Sequence, residues 1–137
     1  MKPGTTWLAS YPKSGNTWLR VLLANWHSAS GEPADINELG PLEWSPNNPA
    51  RFASATLLAA DELSTVEIEA LRGETNRLLA DEMEGTAVVK VHNAYTAAFG
   101  AGVARGAIYV VRDPRDVAPS LAAHLGVTLD EAIAMLN

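Results

Sequence analysis

Thr5-Thr6-Trp7-Leu8-Ala9-Ser10-Tyr11-Pro12-Lys13-Ser14-Gly15-Asn16-Thr17-Trp18-Leu19-Arg20-Val21-Leu22-Leu23-Ala24-Asn25-Trp26 changes its hydrophobic period part-way along. Thr5 to Ser10 holds the brief apolar run Trp7-Leu8-Ala9, the pattern of a short buried strand. From Thr17 to Trp26 the apolar residues recur at helical spacing. The residues between, with Pro12 and Gly15 among them, leave room only for a tight loop. Strand, loop and helix in that order aim the loop amides and the helix N-terminus outward, a positive concavity suited to an anion. Gly15 allows close backbone approach, Lys13 adds a point charge, and Ser14, Asn16 and Thr17 bring side-chain donors. The loop is P-loop-like without being a P-loop, because Lys13-Ser14 precedes Gly15 and Gly4 lies far upstream. The plainer reading is a strand-to-helix turn with Ser14 or Asn16 as the N-cap.

Outward from this unit, Ser28 to Ala60 carries Gly31, Pro33, Gly40, Pro41, Pro46 and Pro49, which predicts a long irregular excursion of the kind that forms functional loops or lids. Between Asp61 and Glu84 eight acids face Arg72 and Arg77, a local balance that equals the net charge of −6 of the whole chain. Ser64 and Glu67 form a capping box there, and the spacing of Leu63, Val66, Ile68, Leu71, Leu78 and Leu79 predicts a solvated amphipathic helix. Thr86 to Val91 and Ala107 to Arg112 read as two more buried strands. Pro114 to Leu125 reads as a helix with Pro in its first turn and Pro119 as an interruption before Ser120, and Thr128 with Glu131 caps a last helix. Apolar strands alternating with helices predict the α/β class: a three-layer fold whose parallel sheet is covered by helices on both faces. Ligands of such sheets bind outside the carboxyl ends of the strands, here Tyr11 to Thr17, Lys90 to Asn93 and Arg112 to Asp116.

The 137 residues, 47% hydrophobic and 19% charged, predict one domain over 1–137. The acidic balance speaks against nucleic acid as a partner, since backbone binding needs clustered Lys and Arg. Without cysteine the chain has no disulfide, thiolate metal site or Cys nucleophile. The opening Met1 to Ser10 lacks the apolar stretch of a secretory signal, and no run is long enough to span a bilayer, so the expectation is a cytoplasmic protein with no membrane partner.

Two further motifs stand at the other strand ends. In Arg112-Asp113-Pro114-Arg115-Asp116-Val117-Ala118-Pro119-Ser120, Arg112 closes a strand and Ser120 follows two helical turns on, a spacing that lets both reach one phosphate. The structural alternative pairs Arg112 with Asp113 or Asp116. In Lys90-Val91-His92-Asn93, period-two alternation places Lys90 and His92 on one side and Val91 on the other. A neutral imidazole at a pocket mouth is the usual general base for a hydroxyl. His27 and His124 fall in helical stretches and stand apart from these motifs.

Taken together, the three motifs resemble those of the cytosolic-type sulfotransferases, which use 3′-phosphoadenosine 5′-phosphosulfate (PAPS) as co-substrate. Tyr11 to Trp18 is similar to that family's 5′-phosphosulfate loop, Arg112 to Asp116 with Ser120 to its 3′-phosphate motif, and Lys90-Val91-His92 to its Lys-Thr-His or Lys-Ser-His strand. The resemblance spans Thr5 to Leu125. It implies that Lys13, Ser14, Gly15, Asn16 and Thr17 hold the phosphosulfate, that Trp18 lies against the adenine, and that Arg112 and Ser120 hold the 3′-phosphate. It further implies His92 as the base that activates a hydroxyl or amine acceptor, with Lys13 and Lys90 as catalytic charges beside the sulfuryl group and no metal. Asn16 stands where the family has Thr, and Val91 where it has Thr or Ser. Family members also continue into a basic Arg-Lys-Gly segment, whereas this sequence stops at Asn137, which predicts a short or C-terminally truncated member that associates as a homodimer or with a complementing second chain. A non-catalytic nucleotide-binding or interaction module of the same fold is the alternative. A small P-loop-type kinase fits less well, because it needs a Walker glycine pattern and a carboxylate for magnesium.

Overall fold

The computed structural model describes residues 4–28, 31–43, 45–82, 86–96 and 104–136. Three strands, β1 (Gly4–Ser10), β2 (Thr86–Val91) and β3 (Ala104–Val110), form a parallel sheet in the order β2-β1-β3. Among the described residues five helices flank it: α1 (Asn16–His27), α2 (Pro49–Thr56), α3 (Thr65–Asp81), α4 (Pro114–Leu125) and α5 (Leu129–Met135), with short 3₁₀ turns at Gly40–Glu43 and Ala60–Glu62. This is the expected α/β class. The chain leaves β1 to build β2 on one side and then β3 on the other, so the order reverses at β1 and a crevice opens beyond its carboxyl end.

β1 is central and deeply buried. Trp7 is in register with Val89 and Ala107, and Ala9 with Val91 and Tyr109, so these residues share one face of the sheet, where Trp7, Ala87, Val89 and Val91 pack with Ala80 of α3. Leu8, in register with Lys90 and Ile108, is fully buried on the other face, a placement that stabilises the fold by roughly 1.5 to 3 kcal/mol. A second small core, Leu121, Ala122 and Ala132, joins α4 to α5.

The expected helices are present, and four local expectations are corrected. Ser28 to Ala60 is not irregular throughout: Asn48 caps α2 by accepting from the Ala50 and Arg51 amides, so Pro49 starts a helix where it reads as a breaker. β3 starts three residues earlier and ends two residues earlier than expected. Its ladder to β1 ends at Ser10 opposite Val110, and Asp113 caps α4 ahead of Pro114, which leaves Arg112 in coil and not on a strand. β3 is also exposed along nearly its whole length, with Tyr109 67% accessible, where its apolar composition predicts a buried strand; the other edge strand, β2, is buried at Ala87, Val89 and Val91. Pro119 does not interrupt α4, which continues through it to Leu125 at the loss of one N–H donor. Glu84 of the acidic run lies outside the described residues.

Both expected capping boxes form. Ser64 Oγ accepts from the Glu67 amide while Glu67 Oε2 accepts from the Ser64 amide at 2.8 Å, and Thr128 and Glu131 repeat the pattern on α5. Ser64 holds the Glu67 carboxyl below its usual range, first through its hydroxyl and then through its amide. A carboxylate lowered in the folded state contributes stability above its unfolded pKa and loses it as pH falls through the folded value. Losing the N-cap hydroxyl in Ser64→Ala is expected to lower stability at neutral pH by about 1 kcal/mol, read from the urea midpoint. It should also narrow the stability difference between neutral and acid pH, and a variant with the parent's midpoint at both pH values would show that the box contributes nothing.

Candidate functional site

Beyond the carboxyl end of β1 lies a cleft of about 710 Å³ lined by Pro12, Lys13, Gly15, Asn16, Thr17, Trp18, Val21, Ile36, Lys90, His92, Ser120 and His124. In a chain of net charge −6, the described residues lining this cleft include two lysines and two histidines and no Asp or Glu. Such an enclosure favours an anionic ligand.

The loop after β1 builds the floor. Ser14 N donates to Tyr11 O at 3.2 Å, Lys13 has φ +66° and Gly15 φ +106°, so two departures into the left-handed region, one on each side of Ser14, turn the chain from strand to helix. At Gly15 a Cβ would meet only Val110 Cγ1 at 4.0 Å, so backbone conformation and not space selects glycine. Gly15 itself, in place of Ser14 or Asn16, is the N-cap of α1, and no side chain caps this helix. The Asn16, Thr17 and Trp18 amides thus have no partner within the helix, at the end where its dipole is positive. Arg112 Nη1 donates to Lys13 O at 3.2 Å and holds the loop from behind.

Asn16 is buried, and its amide points inward: Nδ2 donates to Leu8 O at 2.9 Å and to Ser10 Oγ at 3.2 Å. Trp18 stays 77% exposed on the cleft wall. Thr17 Oγ1 accepts from Arg20 Nη2 at 3.1 Å, and Arg20 also donates to Leu42 O, which ties the Ser28 to Ala60 excursion to α1. A second tie runs from Asn47, which donates to Asn93 Oδ1 and accepts from Arg72, to the segment just after His92. Ile36 of the excursion forms part of the cleft wall.

Lys90 and His92 both line the cleft, as their alternation predicts, while Val91 lines the opposite side. Half-buried Lys90 is held below the ordinary lysine range, mainly by burial and then by the charge of Arg20. His92 follows the last residue of β2, and its Nδ1 lies 2.8 Å from Ser10 O and 3.2 Å from Ser10 Oγ. His92 also borders a second, more apolar cavity of about 580 Å³ on the Trp7 face of the sheet, among Trp7, Tyr11, Tyr95 and Tyr109.

Ser120 reaches the cleft. Arg112 and Ser14 line instead a neighbouring hollow of about 220 Å³, and the nearest acid to Arg112 is Asp116 at 3.9 Å. His124, set apart from the motifs in sequence, joins the cleft because it lies one helical turn beyond Ser120 on α4. Sequence reasoning missed Ser10 as well as His124, since the contact of Ser10 with His92 depends on strand register.

Among the described residues, no group of three or more His, Asp or Glu is placed to hold a metal, and no helix is long and apolar enough to cross a membrane. Searches of curated proteins and of solved structures returned no match. A family model described as the sulfotransferase domain matches residues 3–126 of the 137. That match spans the strand-loop-helix unit, the His92 strand end and α4, and on it the chain belongs to the sulfotransferase family.

Proposed function

We propose that this protein moves a sulfuryl group from 3′-phosphoadenosine 5′-phosphosulfate to a hydroxyl or amine of a small acceptor, with His92 as the base. The observation that carries the reading is the position of His92 on the border of two cavities, one with no acid among its described lining residues and lined by the uncapped α1 N-terminus, the other apolar and lined by aromatic rings. A donor in the first and an acceptor in the second meet at the imidazole.

In this reading Lys13 and the amides of Gly15, Asn16 and Thr17 hold the phosphosulfate, with the Ser14 hydroxyl behind them, and the Trp18 ring is open to the adenine. Ser120 and Arg112 take the 3′-phosphate. His92 removes the acceptor's proton as the acceptor oxygen or nitrogen bonds to sulfur, and the sulfur–oxygen bond to the 5′-phosphate breaks. Negative charge then develops on the released phosphate oxygen, where Lys13, Lys90 and the loop amides stabilise it most.

The reading is tested by calorimetric titration with 3′-phosphoadenosine 5′-phosphate and with AMP. A charge-assisted hydrogen bond to the extra phosphate contributes about 1.5 to 3 kcal/mol, so a preference of at least about tenfold for the bisphosphate is expected. Equal affinity would overturn the assignment of Arg112 and Ser120. Because Lys90 is depressed in the free protein, a bound anion beside it favours the ammonium and raises its pKa. Titrations at alkaline pH in two buffers of different ionisation enthalpy should therefore reveal proton uptake, which Lys90→Met removes. Identical heats in both buffers would place the anion away from Lys90.

A further inference from the structure

We propose that Ser10 and Asn16 are positioning residues that hold the neutral His92 ring in the tautomer with its proton on Nδ1, leaving Nε2 as the basic nitrogen. The inference rests on the function proposed above for its catalytic meaning, but its geometry stands alone. Ser10 O is a carbonyl and can only accept, so the 2.8 Å contact requires His92 Nδ1 to donate. Neutral imidazole has one N–H, and Nε2 then carries the lone pair.

The hydroxyl of Ser10 adds to this hold. Its Oγ lies 3.2 Å from His92 Nδ1 and 3.2 Å from Asn16 Nδ2. The orientation of the Asn16 amide is fixed independently, because Nδ2 also meets Leu8 O at 2.9 Å, and the opposite orientation would set oxygen against oxygen. Both nitrogens facing Ser10 Oγ are thus donors, and Oγ is an acceptor for each. The result is a chain from the start of α1, through the last residue of β1, to the strand end of β2, all of it out of bulk water except the outer side of His92. Ala9 pairs with Val91, so the parallel register itself places Ser10 beside His92. Asn16 accordingly acts through its backbone toward the cleft and through its side chain toward the base. A hydroxyl at position 16 is one atom shorter and carries a single donor, which cannot serve Leu8 O and Ser10 Oγ at once.

The test uses the full chain labelled with ¹⁵N-histidine, whose long-range ¹H–¹⁵N spectrum separates the two neutral tautomers, with His92 assigned from the His92→Asn variant. The parent is expected to show His92 protonated on Nδ1. Ser10→Ala and Asn16→Ala should each raise the share protonated on Nε2 and lower kcat about tenfold, while the affinity for 3′-phosphoadenosine 5′-phosphate changes by less than threefold. Ser10→Thr keeps the hydroxyl and should restore both readouts. Finding His92 protonated on Nε2 in the parent would overturn the proposal, as would Ser10→Ala and Asn16→Ala spectra that match the parent. If Asn16→Ala does not fold, the Ser10→Ala and Ser10→Thr pair decides. A parent that shows the expected tautomer but binds no nucleotide and transfers no sulfuryl group would sink the proposed function and leave the positioning intact.

Discussion

His92→Ala is expected to slow sulfuryl transfer by about 10²- to 10⁴-fold, the usual worth of a positioned proton acceptor, and to leave the nucleotide affinity within a few-fold. The asymmetry follows from the ring's two borders. In the cleft proposed for the donor it is one group among Lys13, Lys90, Ser120 and the loop amides, so its removal weakens that side little. In the cavity proposed for the acceptor His92 is the imidazole among the described lining residues Trp7, Ala9, Ser10, Tyr11, Val91, Asn93, Ala94, Tyr95, Ala107 and Tyr109, none of which is a carboxylate or an amine. Tyr11 is already engaged, its hydroxyl donating to Met135 O at 3.1 Å. A single-turnover rate measured with saturating donor isolates the chemical step from binding. A rate within twofold of the parent would reduce His92 to a structural partner of Ser10.

The parts of this molecule that were legible in the sequence are those set by near neighbours along the chain. The turn from Ser10 to Thr17, the capping boxes at Ser64 and Thr128, and the shared side of Lys90 and His92 follow from local chemistry and from the two-residue period of a strand. What depends on register or on sheet position was not legible. Ser10 and His92 are 82 residues apart, and only the pairing of Ala9 with Val91 brings them together. Arg112 reads as a strand end because Tyr109-Val110-Val111 is apolar, yet the ladder stops where β1 turns away at Ser10. Its side chain therefore sits behind the loop, on the Lys13 carbonyl, while Ser120 faces the cleft. β3 illustrates the same limit, since its composition gives no sign that both its faces lie open.

Lys13→Gly should cost about 10²- to 10³-fold in transfer while leaving the fold as stable as the parent or more so. The two halves of this expectation come from one observation, the φ of +66° at Lys13. A side chain in the left-handed region costs roughly 1 to 2 kcal/mol relative to glycine, and such strain persists where the surroundings enforce it. Here Arg112 fixes the Lys13 carbonyl and the Ser14 amide bonds back to Tyr11 O, so the loop keeps this shape with either residue. Glycine therefore removes the strain together with the ammonium, whereas Lys13→Ala removes the ammonium and keeps the strain. Losing one preorganised donor at a developing oxyanion typically costs 10²- to 10³-fold in rate, and both variants lose the same one. Equal rate losses in the two variants, with the higher melting temperature in the glycine variant, would assign the loss to charge alone. A Lys13→Gly protein that keeps the parent's rate would mean that the amides of Gly15, Asn16 and Thr17 suffice, and that the left-handed lysine is held there by Arg112 for the shape of the loop.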